Sequence, residues 1–262
     1  MSNFRHFDEA ESGGIGETRE RAIVVRSLGL RLGPGQRIAS HSHGWAQVVF
    51  AARGVMAVET ERMRWVVPPT RCLWVPAGVD HAIEMMGETW MRTVYVRPDR
   101  AVGTGTEIRV AAVSPLLREL LLDVVKRGML HDGDEVHRGL VSVLLAEVTS
   151  APAVAIGLPW PVDPRAREVA ERVRLSPGSG ASLGSLVRGV GASERTIERV
   201  FLKETGLSFG RWRQQARLQV AVNRLAEGAS VTAVAMECGY GSVSAFVSMF
   251  KRSLGETPGK YR

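Results

Sequence analysis

The sequence predicts an α+β protein of two domains, in which a small β-barrel precedes linker helices and an all-α domain. Three observations predict this fold class. The first hundred residues alternate short Val-, Ile- and Trp-rich runs with Gly and Pro, helical periodicity begins only near Ser114, and the last hundred residues repeat one helical unit. The chain has 262 residues, 45 % of them hydrophobic, which is enough for two modest cores.

Seven short runs of strand-forming residues predict a β-sandwich or a small β-barrel. They cover residues 23–32, 47–51, 55–60, 65–67, 72–75, 83–86 and 90–96. The Gly33-Pro34-Gly35 corner and the Pro68-Pro69 pair fall between them, as proline and glycine do at turns. We therefore expect a barrel over residues 21–100, preceded by a flexible amino-terminal segment, residues 1–20.

Two amphipathic helical stretches follow the barrel. Residues 115–126 and 135–148 carry leucine and valine at helical spacing. The apolar stripe of so short a helix has to be covered by the barrel, by the neighbouring helix or by a second chain. The segment 114–150 is therefore predicted to link the domains or to form a dimer interface. Residues 151–164, with four prolines, are predicted to be an interdomain linker.

The carboxy-terminal segment, residues 165–262, contains the same succession of helix, glycine turn and helix twice. Residues 206–213 match residues 255–262 at an offset of 49 positions, and residues 186–191 match residues 234–239 at an offset of 48. The second copy therefore has one additional residue in its turn.

The turn residues identify the kind of unit. Gly191 and Gly239 stand where a left-handed residue would end the first helix of each copy, and Ser193 and Ser242 can cap the second helix. This is the pattern of a helix-turn-helix, whose second helix enters the DNA major groove. A single match is weak because many helical hairpins look alike, but two copies in register strengthen the prediction considerably.

The charge distribution supports nucleic-acid binding independently. Residues 163–262 carry 16 Lys and Arg against 9 Asp and Glu, whereas residues 1–162 carry 18 of each sign. The whole net charge of +7 therefore lies on the repeated segment. A basic domain next to a neutral one is what binding to phosphates requires, because neutralised phosphates release counterions.

The repeated segment resembles the DNA-binding domain of the AraC/XylS family of bacterial transcription regulators. The resemblance is carried by residues 193–201, 204–209, 238–240, 244–246 and 250–252, and by the closing sequence Thr257-Pro258-Gly259-Lys260-Tyr261-Arg262. It implies a sequence-specific regulator, such as an activator, that binds double-stranded promoter DNA and responds to a small-molecule effector. RNA polymerase is a further expected partner, and the family favours a homodimer through residues 114–150, although self-contained packing of these helices is an open alternative.

The resemblance also implies which residues face DNA. The base-contact candidates of the first unit are Arg195, Thr196, Glu198 and Arg199. Those of the second unit are Val243, Ser244, Val247 and Ser248. Arginine reads guanine and glutamate reads cytosine, whereas valine and serine form no bidentate pair, so the second helix should discriminate bases less sharply. Contacts to the DNA backbone, with a solvated surface charge as the alternative, are expected from Lys251, Arg252, Lys260 and Arg262.

A histidine pattern lies inside the β region. It runs from Gly35 through His41, His43 and Gln47 to Gly54, and it ends later at His81. This spacing resembles the two motifs of the cupin fold, a β-barrel whose metal site uses three histidines and one glutamate. The resemblance implies a cupin-like effector domain whose metal ligands would be His41, His43, Gln47 and His81, with glutamine in place of the glutamate.

Gln47 leaves two interpretations of this site open. Three imidazoles and a water can hold a divalent Zn, Ni, Fe or Mn ion, although an amide is a poorer ligand than a carboxylate. The same polar side chains also suit an organic effector. Alternation from Gln47 predicts Trp45 and Val49 in such an effector pocket, and His81 and Trp74 are expected to join them from other strands.

Three functions are therefore distinguished. We favour a regulator without catalytic activity, in which the effector shifts the helices at residues 115–148. The rivals are a metal-dependent cupin enzyme with an accessory DNA-binding module and a metal-sensing regulator. A cytoplasmic location without membrane association is expected, because no stretch approaches eighteen consecutive apolar residues and residues 1–20 lack the apolar core of a signal peptide.

Overall fold

The computed structural model describes residues 22–151 and 157–261. The segment 1–20, residues 152–156 of the predicted linker and Arg262 therefore lie outside the described residues. The strands are β1 (Ile23–Leu32), β2 (Arg37–His41), β3 (Ala46–Arg53), β4 (Met56–Glu59), β5 (Met63–Val67), β6 (Arg71–Val75), β7 (His81–Met85), β8 (Thr89–Val96), β9 (Arg109–Ala112), β10 (Met129–His131) and β11 (Gly157–Pro159). The helices are α1 (Pro115–Arg127), α2 (Glu135–Ser150), α3 (Pro164–Leu175), α4 (Leu183–Leu186), α5 (Glu194–Thr205), α6 (Phe209–Ala226), α7 (Val231–Glu237), α8 (Val243–Leu254) and a closing 3-10 turn (Pro258–Tyr261).

The amino-terminal domain consists of two sheets, which confirms the predicted β-rich fold, although the sheets do not close into one barrel. One sheet has the strand order β10-β1-β8-β3-β6-β9, and the other has the order β11-β5-β4-β7-β2. The seven predicted strands are present, but β2 and the three strands beyond residue 100 were not foreseen. Each of these additional strands, RIASH, RVAA, MLH and GLP, has at most one β-branched residue and no Phe, Tyr or Trp, so it lacks the composition that indicates a strand.

Apolar side chains fill the space between the two sheets. The buried residues of this inner core include Val49, Met56, Leu73, Ile83, Met85 and Met91. Gly54 ends β3 with φ +77°, and a Cβ at this position would lie 2.2 Å from the carbonyl oxygen of Glu88. Glycine is therefore required at the turn that brings β3 onto β4 and places the two sheets face to face.

A second core forms where α1 and α2 cover the outer face of the six-stranded sheet. Its buried residues include Val48, Phe50, Trp74, Leu117, Leu121 and Leu144. Ser114 caps α1 and Asp134 caps α2, as their side chains accept the amides of Leu117 and His137. The apolar stripes predicted at residues 115–126 and 135–148 are thus largely covered within the same chain.

Residues 157–159 extend the β domain toward the helical domain. They form β11, which pairs antiparallel with β5, so these three residues of the predicted linker at residues 151–164 belong to a sheet. The Trp212 indole Nε1 donates a hydrogen bond of 2.6 Å to the Pro159 carbonyl, and the Trp160 and Trp212 rings lie 5.3 Å apart. This short strand therefore connects the edge of the sheet directly to the core of the helical domain.

The helical domain is built around α6, the long helix between its two halves. Before α6, the helices α3, α4 and α5 enclose one core with Ile197, Phe201 and Trp212. After α6, the helices α7 and α8 and the 3-10 turn pack around Phe246 and Phe250, which belong to the same apolar cluster as the inner core of the β domain. The α6 residue Gln219 donates its side-chain amide to the Arg64 carbonyl on β5 at 3.0 Å, so the helical domain is docked on the β domain. Among the described residues, none of the helices is both long and apolar enough to cross a membrane.

Candidate nucleic-acid interface and effector site

The first repeated unit has the local structure of a helix-turn-helix. Gly191 has φ +73°, and the Ser193 side chain accepts the amide of Thr196 at 3.2 Å to cap α5. Gly206 ends the same helix in the left-handed conformation. Both predicted turn residues of this unit are therefore confirmed, and the inward side of α5 is fixed by the buried side chains of Ile197 and Phe201.

The outward side of α5 is free to contact a ligand. Arg195, Glu198 and Arg199 are exposed, as expected of base-contact candidates. Thr196 is half-buried, and its Oγ1 lies 3.0 Å from the Ser193 hydroxyl. Because this hydroxyl already takes part in the helix cap, Thr196 has less hydrogen-bonding capacity for DNA than the sequence suggested.

The second unit repeats this geometry with a different surface. Gly239 has φ +77°, and the Ser242 side chain accepts the Ala245 amide at 3.2 Å to cap α8. Ser244 and Ser248 are exposed. Val243 and Val247 are half-buried and pack against the apolar cluster that contains Phe246 and Phe250, so they offer less surface to DNA than predicted.

The residues expected to contact the DNA backbone lie at the end of the second unit. Lys251 and Arg252 are exposed in the last turn of α8. Lys260 lies in the 3-10 turn with its side chain 68 % exposed, and its Nζ is 3.9 Å from a Glu256 carboxylate oxygen. Arg262 is outside the described residues.

The predicted histidine site is brought together in the β domain. One candidate ligand atom from each of His41, His43 and His81 lies within 4.8 Å of the other two. Gln47 is buried beside them, with its Oε1 3.1 Å from His43 Nε2 and 2.9 Å from His81 Nε2. Its amide nitrogen donates to Thr93 Oγ1 at 2.7 Å and to the Tyr95 hydroxyl at 3.1 Å. We call these six residues the polar cluster.

The three imidazoles are oriented in the same way. The Nδ1 atoms of His41, His43 and His81 each lie within hydrogen-bonding distance of a backbone carbonyl, those of Ala39, Trp45 and Val79 respectively. A carbonyl only accepts, so each neutral ring carries its proton on Nδ1 and presents the lone pair of Nε2. In histidines that bind metal ions, the ring nitrogen that does not contact the metal typically donates such a hydrogen bond, because the bond fixes the tautomer and the ring orientation.

This orientation creates an electrostatic requirement at Gln47. The lone pairs of two Nε2 atoms face its carbonyl oxygen, an arrangement that repels unless a positive charge lies between them. Two arrangements satisfy the Gln47 amide. In one, a cation lies among the three rings and Oε1. In the other, a reversed amide donates to both rings and accepts from the hydroxyls of Tyr95 and Thr93, of which Thr93 now donates to the Val48 carbonyl at 3.2 Å. The polar cluster is therefore built either around a cation or around a neutral network of hydrogen-bond donors.

Burial favours the neutral form of His81. Desolvation lowers the pKa of His81 from its ordinary value to about 4, and the neighbouring His41 and His43 act in the same direction. Burial likewise raises the pKa of Tyr95. A proton on His81 is therefore a weak candidate for the positive charge at neutral pH, and the Nε2 lone pair of His81 is available to a ligand.

The apolar wall expected around Gln47 is only partly present. Val49 lies on the same face of β3 as Gln47 and is fully buried in the inner core. Trp45 is half-buried with the Arg26 guanidinium 4.9 Å above its ring. The prediction for Trp74 was wrong: it pairs with Val48, not with Gln47, and packs under α1 and α2. Neighbouring residues in a strand point to opposite faces, so a one-position difference in register moves this ring to the outer core.

Comparison with known proteins places both halves of the chain. Residues 26–142 match the model of the AraC-like ligand binding domain, and residues 186–262 match a helix-turn-helix domain. The chain is 35 % identical over 221 residues to the HTH-type transcriptional regulator NimR of Escherichia coli (strain K12), covering 84 % of this chain and 81 % of NimR. The chain belongs to the AraC family of transcription regulators.

Two further AraC-family comparisons cover less or align less closely. The HTH-type transcriptional regulator RipA of Corynebacterium glutamicum is 37 % identical over 103 residues, which is 39 % of this chain and 31 % of RipA. The crystal structure of ToxT from Vibrio cholerae O395 aligns at 9 % identity over 91 % of this chain and 96 % of that chain, with a TM-score of 0.38. This AraC-family chain thus combines a ligand-binding amino-terminal domain with a DNA-binding carboxy-terminal domain.

Sequence reasoning missed three residues around the polar cluster of this AraC-family protein. Thr93 and Tyr95 bind the Gln47 amide from β8, and Arg26 covers Trp45 from β1. A signal for the first two was present, because buried positions alternate along β8 through Thr89, Met91 and Thr93. The sequence does not contain the register that aligns Gln47 with Tyr95 and Tyr95 with Arg26.

Proposed function

We propose that this AraC-family regulator reads promoter DNA with α5 and α8 and responds to a ligand at the polar cluster. The observation that carries the DNA part is the pair of capped helix-turn-helix units joined by one rigid helix, α6. Each unit buries its inner face, and α5 presents exposed arginine and glutamate on its outer face. In such units the outer face of the second helix is the surface that enters the major groove.

The two units read DNA unequally in this proposal. The α5 helix offers Arg195 and Arg199, whose guanidinium groups form bidentate pairs with guanine, and Glu198, which accepts from cytosine. The α8 helix offers only the hydroxyls of Ser244 and Ser248 and the partly covered Val243 and Val247. The first unit therefore determines most of the sequence preference, while Lys251, Arg252, Lys260 and Arg262 hold the second unit on the phosphates.

The polar cluster is proposed as the effector site. It lies where the apolar inner core ends, with buried Gln47, His81 and Thr93 and half-exposed His41 and His43. Its polar groups are imidazole rings, hydroxyls and an amide. A compact organic effector that donates hydrogen bonds, placed beside the Trp45 ring, matches this chemistry.

A divalent metal ion is the second candidate ligand, and a specific observation favours it. The three imidazoles are each oriented through Nδ1, and the Nε2 atoms of His43 and His81 converge on the Gln47 carbonyl oxygen. His41, His43 and His81 would hold Zn, Ni, Fe or Mn, with Gln47 as a weaker fourth ligand. A bound metal would supply a positive charge that fixes the orientation of Gln47.

Regulation without catalysis is the activity we propose. The relatives are named transcriptional regulators, and the amide at position 47 provides neither a general base nor a strong metal ligand. We further propose a cytoplasmic homodimer that acts at the promoter together with RNA polymerase. Support for the dimer comes from exposed apolar side chains on α1 and α2, namely Leu116, Val136 and Val143.

The signal has two routes to the DNA-binding domain in this proposal. The helices at residues 115–148 remain one route, as the sequence suggested. The structure adds a shorter one, because Gln47 pairs with Val75 on β6 and Arg71 at the other end of β6 bonds Tyr261 near the carboxy terminus. A ligand that moves β3 against β6 would change the position of the second reading unit relative to the β domain.

One experiment tests both parts of the proposal. Full-length protein is used to select fragments of the source genome, with metal removed by chelation, with added Zn²⁺, and with small-molecule extracts. Enrichment of defined fragments supports the DNA part, and enrichment that changes with one addition identifies the class of ligand. Equal recovery of all genomic fragments and of bulk competitor DNA at moderate salt would refute the DNA part. Unchanged binding after His81→Ala in every condition would refute the role of the polar cluster.

A further inference from the structure

A cluster of arginines lies on the β domain, away from both reading helices. Arg31 on β1 and Arg53 on β3 are exposed, Arg92 on β8 and Arg118 on α1 are half-buried, and Trp90 lies among them. The Arg31 and Arg53 guanidinium carbons are 4.2 Å and 5.8 Å from the centre of the Trp90 ring. We call these five residues the arginine patch.

Strand register places the arginine patch on one flat surface. Trp90 pairs with Arg31 on one side and with Arg53 on the other, so the three residues form a row across adjacent strands. Adjacent strands are about 4.8 Å apart, which sets the two arginine backbones about 10 Å apart. Arg92 follows two residues later on the same face, and the Arg118 guanidinium lies 5.7 Å from the Phe50 ring that pairs with Arg92.

The charge of this patch is not neutralised within the described parts of the chain. None of the ion pairs there includes Arg31, Arg53, Arg92 or Arg118, although Glu88 and Glu119 are close in sequence. Arginines elsewhere on the same domain are paired, for example Arg100 with Asp132. Four guanidinium groups gathered without carboxylates repel one another, and an anionic partner would relieve this repulsion.

The position of the patch indicates which anion it would bind. Gly87 lies in the turn just before Trp90, and a Cβ on Gly87 would be 3.3 Å from the carboxylate of Glu227, at the end of α6. Four residues later begins α7, the first helix of the second reading unit. In a helix-turn-helix the first helix crosses the DNA backbone, so duplex DNA that leaves this unit passes next to this end of the β domain.

We propose that the arginine patch binds phosphates of the duplex that flanks the operator beside the second reading unit. The proposal rests on the DNA binding proposed above and extends the footprint from the DNA-binding domain onto the sensor domain. Arginine stacked on tryptophan keeps its planar donors directed outward, which suits bidentate contacts to phosphate oxygens. Such contacts add affinity without base preference, which compensates for the weak reading surface of α8.

The test compares two duplexes and two pairs of substitutions in the full-length protein. One duplex is the operator core, which ends at the outermost base pairs whose substitution weakens binding. The other is the same core extended by roughly ten base pairs, about one helical turn, at each end. The variant R31Q/R53Q removes two patch charges. The control R100Q/R138Q removes two exposed charges of the same domain at Asp132, beside the opposite end of β1.

Wild-type protein and the control are expected to bind the extended duplex more tightly than the core, whereas R31Q/R53Q binds both alike. On the extended duplex, the slope of log K against log salt should fall by about 2 for R31Q/R53Q, since each phosphate contact contributes about 0.9. The charge-reversing R31E/R53E should weaken binding to the extended duplex further and leave the core duplex unaffected, which also shows that the variants fold.

Three outcomes would overturn the inference. Equal slopes for wild type and R31Q/R53Q on the extended duplex would show that the patch meets no phosphate. Unchanged DNA binding with a loss of transcription in a purified system would assign the patch to an acidic protein surface instead. Failure of wild-type protein to bind either duplex would refute the DNA-binding proposal itself. This result is distinguishable from failure of the patch proposal, which concerns only the difference in affinity between the two duplexes.

Discussion

Arg71 donates a hydrogen bond from Nη2 to the hydroxyl of Tyr261 at 3.1 Å, across 190 positions of sequence. Arg71 begins β6 of the ligand-binding domain, and Tyr261 ends the 3-10 turn of the DNA-binding domain. The Arg71 side chain is only 5 % exposed, and Nη2 also lies 3.5 Å from a Glu256 carboxylate oxygen. The two domains are therefore joined by a buried polar contact in addition to apolar packing.

Loss of this contact should destabilise the docked arrangement. Tyr261→Phe removes only the hydroxyl and keeps the aromatic ring, which packs 5.1 Å from the Phe250 ring. We expect it to lower the free energy of unfolding by about 1 kcal/mol, the usual contribution of one hydrogen bond. In a double-mutant cycle with Arg71→Met, measured by urea unfolding, the effects should be less than additive.

A matched tyrosine provides the control for this cycle. Tyr240 packs 5.5 Å from Phe246 within the DNA-binding domain, away from Arg71. Tyr240→Phe combined with Arg71→Met should give additive effects. Additive effects for the Tyr261 pair as well would mean that the contact does not contribute to the docking of the two domains.

The turn at Gly54 offers a sharper test of the sheet geometry. Gly54→Ala should destabilise the protein by about 2 to 4 kcal/mol, because alanine in the left-handed region costs about 1 kcal/mol and a backbone clash adds to it. The matched control is Gly35→Ala, at φ +72° with nothing within 4 Å of the added Cβ. It should cost only the conformational term. Equal shifts of the urea midpoint for both variants would contradict the close approach of Glu88 to Gly54.

The sequence predicted the helical domain more closely than the β domain. Helix caps and glycine turns are local, so Ser193, Ser242, Gly191 and Gly239 could be assigned from a few neighbouring residues each. The 18-residue helix α6 was likewise predictable from the apolar periodicity of its own residues. Its docking on β5 through Gln219 was not, because no local pattern records which surface a helix meets in another domain.

The polar cluster shows where sequence reasoning stops. His41, His43, Gln47 and His81 could be gathered from a motif spacing, and the structure does bring them together. Trp74 was assigned to the same site because it is large and lies on a nearby strand. Its true position depends on the register of β6 against β3, which is set by pairing over the whole sheet.

A carboxylate at position 47 should convert the polar cluster into a stronger metal site. Gln47→Glu places a charged oxygen where the Nε2 atoms of His43 and His81 already point. We expect at least about tenfold tighter binding of Zn²⁺ or Ni²⁺ to purified chelator-treated protein, because a carboxylate is the better ligand for a divalent ion. Isothermal titration calorimetry measures the affinity, and metal analysis measures the stoichiometry.

Two controls define what this prediction means. Gln47→Glu combined with His81→Ala should lose the gain, since the carboxylate then lacks one of its partners. Thr93→Val removes a hydroxyl that binds the Gln47 amide nitrogen and contributes no metal ligand. If Gln47→Glu binds no more metal than wild type, the imidazoles serve an organic effector and the cluster follows the neutral hydrogen-bonded arrangement.

Arg195 and Lys260 should affect DNA binding in different ways. Arg195 is exposed in the first turn of α5, where base contacts are made, whereas Lys260 is exposed in the 3-10 turn beyond the second unit. We expect Arg195→Ala to cost about 1 to 3 kcal/mol and to relax the preference at one base pair. Lys260→Ala should weaken all sequences alike and reduce the salt slope by about 1.

Competition binding with a library of single-base operator variants measures both effects at two salt concentrations. Ser248→Ala is compared with Arg195→Ala, because it removes a hydroxyl of α8 that can form at most one hydrogen bond with a base. Its loss in affinity should be smaller than that of Arg195→Ala and confined to the other half of the operator. A loss for Arg195→Ala that is equal on operator and random DNA would assign this arginine to the backbone. A change of base preference in Lys260→Ala would place the end of the chain in a groove, and either result would reverse the unequal roles inferred for the two reading units.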